Sequence, residues 1–254
     1  VQDLNRLSFN SALSHLRRFN LDIDSSAKVV QPRLLHASQW GLIDPVDTPD
    51  GGNVGLHKHM AFMCKITTSY PRQVIINWIH KNTAIYELGS YHPETIYSMT
   101  KVFVNGYWIG CMNEPIVLQV KFLTARRLGL IPLYTSFSFD KITNSIHIYT
   151  DGGRLCRPLI YFNNNNIYNQ ASQTLFNKVS RSLLESNKYT WENCLTGFLK
   201  KKIAFNINHS SCYEFAELYA GTNYDAMEDY KAIMDIVDSS EIEFAMVCTS
   251  PHYI

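Results

Sequence analysis

Hydrophobic and polar positions change register several times along the chain. Over Asp3–Arg18, apolar residues at Leu4, Leu7, Leu13 and Leu16 follow a helical spacing that closes on His15-Leu16-Arg17-Arg18. Asn20–Lys28 (NLDIDSSAK) is polar and rich in Asp and Ser, the composition of a mobile loop. From Pro32 to Met63, Pro45, Pro49, Gly51, Gly52 and Gly55 interrupt short apolar runs that carry Leu34, Leu35, Trp40, Leu42 and Ile43. A stretch so punctuated yet so apolar predicts tightly packed irregular structure rather than a linker.

Regular elements follow. Pro71 ahead of Val74, Ile75, Trp78 and Ile79 predicts a short amphipathic helix. Val102–Val104, Asn105-Gly106 and Tyr107–Ile109 predict a hairpin, because Asn-Gly supplies the positive φ angles of a two-residue turn. Pro115 opens a helix to Arg127, with Ile116, Val120, Leu123 and Arg127 at helical spacing and Gly129 and Pro132 as its stop. Ile146–Tyr149 and Leu159–Phe162 read as strands around a Gly152-Gly153 turn. Four asparagines, Asn163–Asn166, mark an exposed boundary. Beyond it, Leu175–Leu184, Trp191–Leu199 and an acidic stretch over Tyr213–Val237 read as helices, and Ile242–Val247 as a final strand. The class is α+β: an irregular Gly/Pro-rich block over 1–66, a helical connector over 67–100, a small α+β unit over 101–162, an Asn-rich linker over 163–179, and a mostly helical acidic region over 180–254.

Composition sharpens this picture in four places. At 46% hydrophobic residues the chain falls within the globular range, and no uncharged apolar run approaches the ~20 residues of a membrane helix. An opening Val1-Gln2-Asp3 without an initiator Met suggests a piece of a longer protein and no signal peptide. The formal charge is +1, but Glu214–Glu243 holds nine acids against Lys231, a local −8 that leaves +9 on residues 1–212. The first part is thus suited to a polyanion and the tail repels one; the tail's acids read first as a solvated helical face. Cys64, Cys111, Cys156, Cys194, Cys212 and Cys248 show no CxxC pair, which reads as reduced, buried thiols of an intracellular protein rather than a zinc site.

Catalytic signatures are sparse. There is no Gly-rich phosphate cradle with a trailing Lys-Ser/Thr, no GxSxG and no HExxH. His57 and His59 flank Lys58 on one strand face but lack a third ligand, so they read as surface or packing residues. Asp47 and Asp50, in the run Asp44-Pro45-Val46-Asp47-Thr48-Pro49-Asp50-Gly51, suit turn formation more than an acid/base pair. Asp151-Gly152-Gly153-Arg154 reads as another turn, with Asp151 capping backbone and Arg154 available for pairing. No catalytic residue and no metal ligand is assigned. Arg17, Arg18, Lys28 and Arg33 bracket the polar loop with four cations: arginine forks match phosphate oxygens, and the competing reading is ion pairing to Asp22 and Asp24.

Several blocks occur together in order: Arg6-Leu7-Ser8-Phe9; Leu13-Ser14-His15-Leu16-Arg17-Arg18; Pro32-Arg33-Leu34-Leu35-His36; Trp40-Gly41-Leu42-Ile43-Asp44-Pro45-Val46-Asp47-Thr48-Pro49-Asp50-Gly51-Gly52; and Gly55-Leu56 with Lys58. In that order they resemble the second-largest subunit of multisubunit DNA-directed RNA polymerase, whose pattern is roughly RLSxxxxLSHLRR, PRxLH, WGxxCPxETPEG and GLxKxL. Val102–Gly106 and Thr150–Arg154 with Arg157-Pro158-Leu159 are similar to its FVNG and TDAGRxxRPL. Tyr189-Thr190-Trp191 and Asp235–Glu241 are looser matches to its EYIDxxEEE region. Asp44 stands where the family has Cys, and Asp47 and Asp50 where it has Glu, so each of those two carboxylates reaches one methylene less far. The Asn- and Ile-rich filler between motifs points to a divergent lineage of the eukaryotic type, a large DNA virus or a protist.

The resemblance implies a fork-like block over 1–66, whose loop near Leu16–Lys28 lies by downstream DNA, followed by two external-type domains that scaffold the outside of the subunit. It implies a nucleotidyltransferase complex whose catalytic Mg2+ is held by aspartates of the largest subunit, with none bound here. Partners would be the other polymerase subunits, template DNA, the DNA–RNA hybrid and nucleoside triphosphates, in the nucleus or, for a viral protein, in the virion or a cytoplasmic replication site. Arg17 and Arg18, with Lys28 and Arg33 as lesser contacts, are then expected on phosphates. Trp40, Gly41, Pro45, Asp47, Pro49, Asp50, Gly51, Asp151 and Arg154 are expected to fix turns, and the isolated chain to be inert. A stand-alone nucleic-acid-binding or regulatory module is the alternative, and a hydrolase using Asp47 and Asp50 a third reading.

Overall fold

A computed structural model describes residues 2–89, 92–161, 194–195 and 231–248. The helix expected at Leu175–Leu184, the Asn163–Asn166 run, the 163–179 linker and most of the expected helices at Trp191–Leu199 and Tyr213–Val237 lie outside those residues.

Helix α1 is Phe9–Leu16, shorter than the spacing from Asp3 suggests, because Ser8 caps it: the Ser11 N–H donates to Ser8 Oγ at 3.1 Å and the Ser8 N–H to Ser11 Oγ at 2.9 Å. The chain turns directly into β1 (Arg18–Asn20), which pairs antiparallel with β2 (His57–His59) in the register Arg18↔His59, Phe19↔Lys58 and Asn20↔His57. Between the two strands the chain makes 3-10 turns at Gln31–Arg33, Ala37–Gln39 and Gly51–Asn53, the irregular packing expected of the Gly/Pro-rich run. Leu42 and Ile43 are buried, whereas Trp40 remains 53% exposed.

Strand β3 (Lys65–Ile66) leads to α2 (Arg72–Asn82), whose Val74, Ile75, Trp78 and Ile79 are all buried as the spacing predicts. After α3 (Pro93–Ser98) come β4 (Thr100–Val104) and β5 (Tyr107–Met112), a hairpin with Asn105 at φ 50° and Gly106 at φ 76°. Helix α4 is Pro115–Arg127 as predicted, but its inward face is not the expected one. Leu118, Phe122 and Ala125 are buried, while Ile116 and Val120 are exposed. The helix carries apolar residues on two sides, so spacing alone does not choose; the sheet takes the side with Phe122, packed edge-on against Trp78 at 5.8 Å.

Strands β6 (Ser136–Asp140) and β7 (Ser145–Tyr149) complete a four-stranded sheet in the order β5-β4-β7-β6, with β4 and β7 parallel. No strand is expected at β6 from the sequence, although Ser136-Phe137-Ser138-Phe139-Asp140 alternates polar and apolar residues as a strand does. Helices α2 and α4 cover one face and bury Val102, Val104, Ile146 and Ile148 beneath Ile75, Ile79 and Leu118.

Strand β8 (Leu155–Ile160) does not pair with β7 across the Gly152-Gly153 turn. It lies in a second antiparallel sheet, β3-β8-β9, where β9 is Met234–Asp238. Two expectations for the C-terminal region are thereby corrected. Residues 234–238 are strand, not the end of an acidic helix, and Ser239–Glu243 is a short helix, α5, not the start of a final strand. The reason is electrostatic: Asp235 and Asp238 are buried against arginines, so these two acids are internal rather than part of a solvated face. The boundary drawn at 162 therefore separates strands that share one sheet.

Candidate nucleic-acid interface

The four cations around the polar loop fall into two pairs. Arg17 ends α1, its N–H donating to Leu13 O and Ser14 O, and its guanidinium donates to Ala61 O at 2.7 Å, Cys64 O at 3.0 Å and Phe62 O at 3.5 Å. Arg33 is used more fully. Its Nε donates to Val29 O, its Nη1 to Gly52 O at 2.7 Å and Val54 O at 2.9 Å, and its Nη2 to Ser25 O and Ala27 O. One side chain thus gathers both ends of the Ser25–Val54 stretch, and Gly55, at φ 71°, lets the backbone pass where a Cβ would stand 2.3 Å from Arg33 O. These two guanidinium groups are engaged by the protein's own backbone carbonyls.

Arg18 and Lys28 differ. Arg18 Nε donates to His59 Nε2 at 2.8 Å, and no hydrogen bond engages its two terminal amino groups among the described residues. Because Arg18 can only donate, His59 Nε2 is the acceptor. His59 Nδ1 then carries the proton and donates to Asp47 O at 2.7 Å. The Asp47 carboxylate lies 3.3 Å from the same nitrogen and accepts from Ser14 Oγ at 3.2 Å. Ser14, Asp47 and His59 therefore aim Arg18 outward. Lys28 is exposed at the far end of the loop. Neither Asp22 nor Asp24 pairs with these cations among the described residues; Asp24 accepts the Ser26 N–H at 2.9 Å, a bond that holds its carboxyl below the usual range.

The remaining motif residues build turns. Asp44 Oδ1 accepts from the N–H groups of Val46 and Asp47, fixing the chain around Pro45, while Thr48 Oγ1 donates to His57 O and accepts from Gly55 N ahead of Pro49. Asp50 precedes the Gly51–Asn53 turn, with Gly51 at φ 79°. Trp40 O accepts from Arg157 Nη1 at 2.9 Å, and Gly41, at φ 73°, lies so close that a Cβ would stand 1.7 Å from that nitrogen. Arg154 is a hub: it donates to Asp238, Ser136 Oγ, Tyr134 O and Tyr149 O, and pairs with Asp151 at 3.2 Å.

Sequence reading missed the partners of the C-terminal acids. Arg126, 1% exposed, donates to both Glu241 oxygens at 2.9 and 3.0 Å, and Arg127 grips Asp235 at 2.7 Å beneath the Tyr161 ring. Asp235, Asp238 and Glu241 recur every three residues opposite Arg127, Arg154 and Arg126. The spacing is visible in sequence, but the partners lie about a hundred residues away. Burial pushes the Glu241 carboxyl up to about 7 in spite of Arg126.

Among the described residues no three His, Cys, Asp or Glu side chains converge on a point that could hold a metal ion, and no helix is long and apolar enough to cross a membrane. The described residues offer no ligand set that fits a magnesium ion.

Residues 2–66 match the family model for RNA polymerase Rpb2, domain 3, and residues 102–163 that for RNA polymerase Rpb2, domain 4, together half of the chain. The chain belongs to this family of RNA polymerase second-largest subunits. It is 37% identical over 164 residues to DNA-directed RNA polymerase II subunit RPB2 of Schizosaccharomyces pombe, covering 65% of this chain and 14% of the relative. It is 38% identical over 164 residues to DNA-directed RNA polymerase II subunit 2 of Arabidopsis thaliana, covering 64% and 14%. To DNA-directed RNA polymerase III subunit RPC2 of Drosophila melanogaster it is 36% identical over 167 residues, covering 65% and 14%. The chain thus spans about one seventh of the length of the curated relatives it matches.

Proposed function

We propose that the chain acts as part of a DNA-directed RNA polymerase, where residues 1–66 position the nucleic acid during templated transcription. The observation that supports this reading is the division of labour among four neighbouring cations. Arg17 and Arg33 lock the ends of the loop onto backbone carbonyls, leaving Arg18 and Lys28, among the described residues, with donors free for phosphate. Other polymerase subunits, the largest among them, are its partners; template DNA and the DNA–RNA hybrid are its ligands. Nucleoside triphosphates and the Mg2+ of nucleotidyl transfer belong to a centre held elsewhere in the complex. The polymerase II and III names of the relatives favour the nucleus; for a viral chain, the virion or a cytoplasmic replication site takes its place.

The test is an assembled polymerase carrying Arg18→Ala and Lys28→Ala. Loss of about two phosphate contacts should make the log–log salt slope of template binding shallower by ~2, with the fold intact. An unchanged slope and unchanged elongation would refute the assignment. Failure of the chain to co-purify with a largest subunit would refute membership of the complex.

A further inference from the structure

His59 is a buried titratable group whose two ring nitrogens do opposite work. Its side chain is 5% exposed at the end of β2, across from Arg18 in the register of the ribbon. Nε2 accepts from Arg18 Nε at 2.8 Å, and Nδ1 donates to Asp47 O at 2.7 Å. An imidazole does both only while it is neutral, because the charged ring carries a proton on each nitrogen and accepts nothing. The bond that aims Arg18 therefore exists in one protonation state of His59.

The groups around the ring decide what protonation does. Among the described residues, β1 brings Arg18 to it, and the turns after Asp44 bring Asp47, whose carboxylate lies 3.3 Å from Nδ1. Asp44 is turned away, its Oδ1 accepting from the Val46 and Asp47 N–H groups. On β2 itself, His57 shares the face but is bonded through Nδ1 to Asn20, and Lys58 stands on the opposite face. From α1, Ser14 donates to Asp47, and Arg17 gives its guanidinium to the carbonyls of Ala61 and Cys64. A proton added to Nε2 thus finds its counter-charge already in place at Asp47. On its other side it meets the Arg18 Nε–H, two donors and two cations 2.8 Å apart. Arg18 is exposed, so it is the group that moves.

We propose that His59 is the positioning residue for Arg18, and that protonation of His59 releases this arginine from its aim at the template. The inference rests on the polymerase reading, because it takes Arg18 as a phosphate contact. Its sign is opposite to that of charge alone. A further cation near a phosphate backbone tightens binding. Here the new charge is neutralised by Asp47 and displaces a cation that was held in place. An arginine fixed through Nε presents its two terminal amino groups together as a fork, whereas one cut loose is ordered anew at each encounter.

The experiment is template affinity of the assembled polymerase at fixed salt, from about pH 8 to about pH 5.5, the range across which histidine changes charge. Each form is measured with and without Arg18→Ala, and the ratio of the two affinities isolates Arg18 from every other histidine in the complex. In the unsubstituted polymerase this ratio should be largest at the alkaline end and fall about tenfold towards the acid end, the order of the rotamer freedom that an unheld arginine gives up on binding. His59→Gln, whose amide oxygen accepts from Arg18 Nε at every pH, should keep the ratio flat and high. His59→Leu, which offers no acceptor, should keep it flat and low. A ratio that stays constant or rises as pH falls in the unsubstituted polymerase, or that falls just as far with either His59 variant, overturns the inference and leaves the polymerase reading standing. If Arg18→Ala does not change affinity at any pH, the assignment of Arg18 to phosphate falls as well.

Discussion

At the scale of single residues, Gly41 shows how a motif glycine is fixed by its neighbour rather than by its own turn alone. Its φ of 73° disfavours any L side chain, and a Cβ there would stand 1.7 Å from Arg157 Nη1, the group that donates to Trp40 O. Gly41→Ala should cost about 2–4 kcal/mol, the sum of left-handed strain and one displaced hydrogen bond. In a denaturant titration, the double variant with Arg157→Ala should cost less than the two singles added, because the clash then has no partner. Cysteine chemistry follows from burial in the same way. Cys64, Cys111, Cys156 and Cys194 are buried, and desolvation pushes Cys156 up to about 12, so almost no thiolate exists at pH 8. Among the described cysteines, iodoacetamide at that pH should label Cys248 first, as mass mapping would show.

At the scale of elements, α5 is held to α4 by one buried ion pair, Arg126–Glu241. Arg126→Met should cost about 3–5 kcal/mol because it strands a buried carboxylate, whereas Arg126→Met with Glu241→Leu should recover most of that loss. The pH dependence has a definite sign. The folded chain raises Glu241 from 4.5 to about 7, so between those values the native state holds a proton that the unfolded chain has released. Stability from this group is fully present below pH 4.5, falls as pH rises towards 7 and is flat above. Thermal melts of Glu241→Gln across that window should lack this component. These elements also show what the sequence conveys. Helices α2 and α4 and the Asn105-Gly106 hairpin are written in local spacing and turn chemistry, and so are legible. The inward face of α4 is not, because a doubly apolar helix leaves the choice to the sheet. The acids of β9 are not legible as buried because their neutralising arginines are remote in sequence. In the candidate interface, the cluster of four cations is plain in the sequence. Which two of them the carbonyls of Ala61, Cys64, Gly52 and Val54 consume depends on loop closure over distances that periodicity does not encode.

At the scale of the whole molecule, the described chain has cores of unequal independence. The core under α2 and α4 draws on residues from Ile75 to Ile148 alone. The other two depend on the returning C-terminal segment, one through Ile233, Met234 and Ile236, the other through Ile242. That segment also supplies the outer strand of the sheet that β3 enters, and the acids for Arg126, Arg127 and Arg154. It therefore ties the block over 1–66 to the α+β unit: β3 follows directly on the Arg17-capped carbonyls of Ala61 and Cys64, and β8 lies between β3 and β9. Removing residues 231–254 should leave the first core folded and open the other two. Alkylation distinguishes the outcomes within one sample, because Cys111 belongs to the strand beneath α2 and α4 whereas Cys64 and Cys156 line the cores that lose their cover. In the truncated chain Cys64 and Cys156 should become reactive while Cys111 stays protected. Equal protection of all three would mean that the sheets do not depend on the returning strand, and uniform exposure would mean that the first core does not stand on its own.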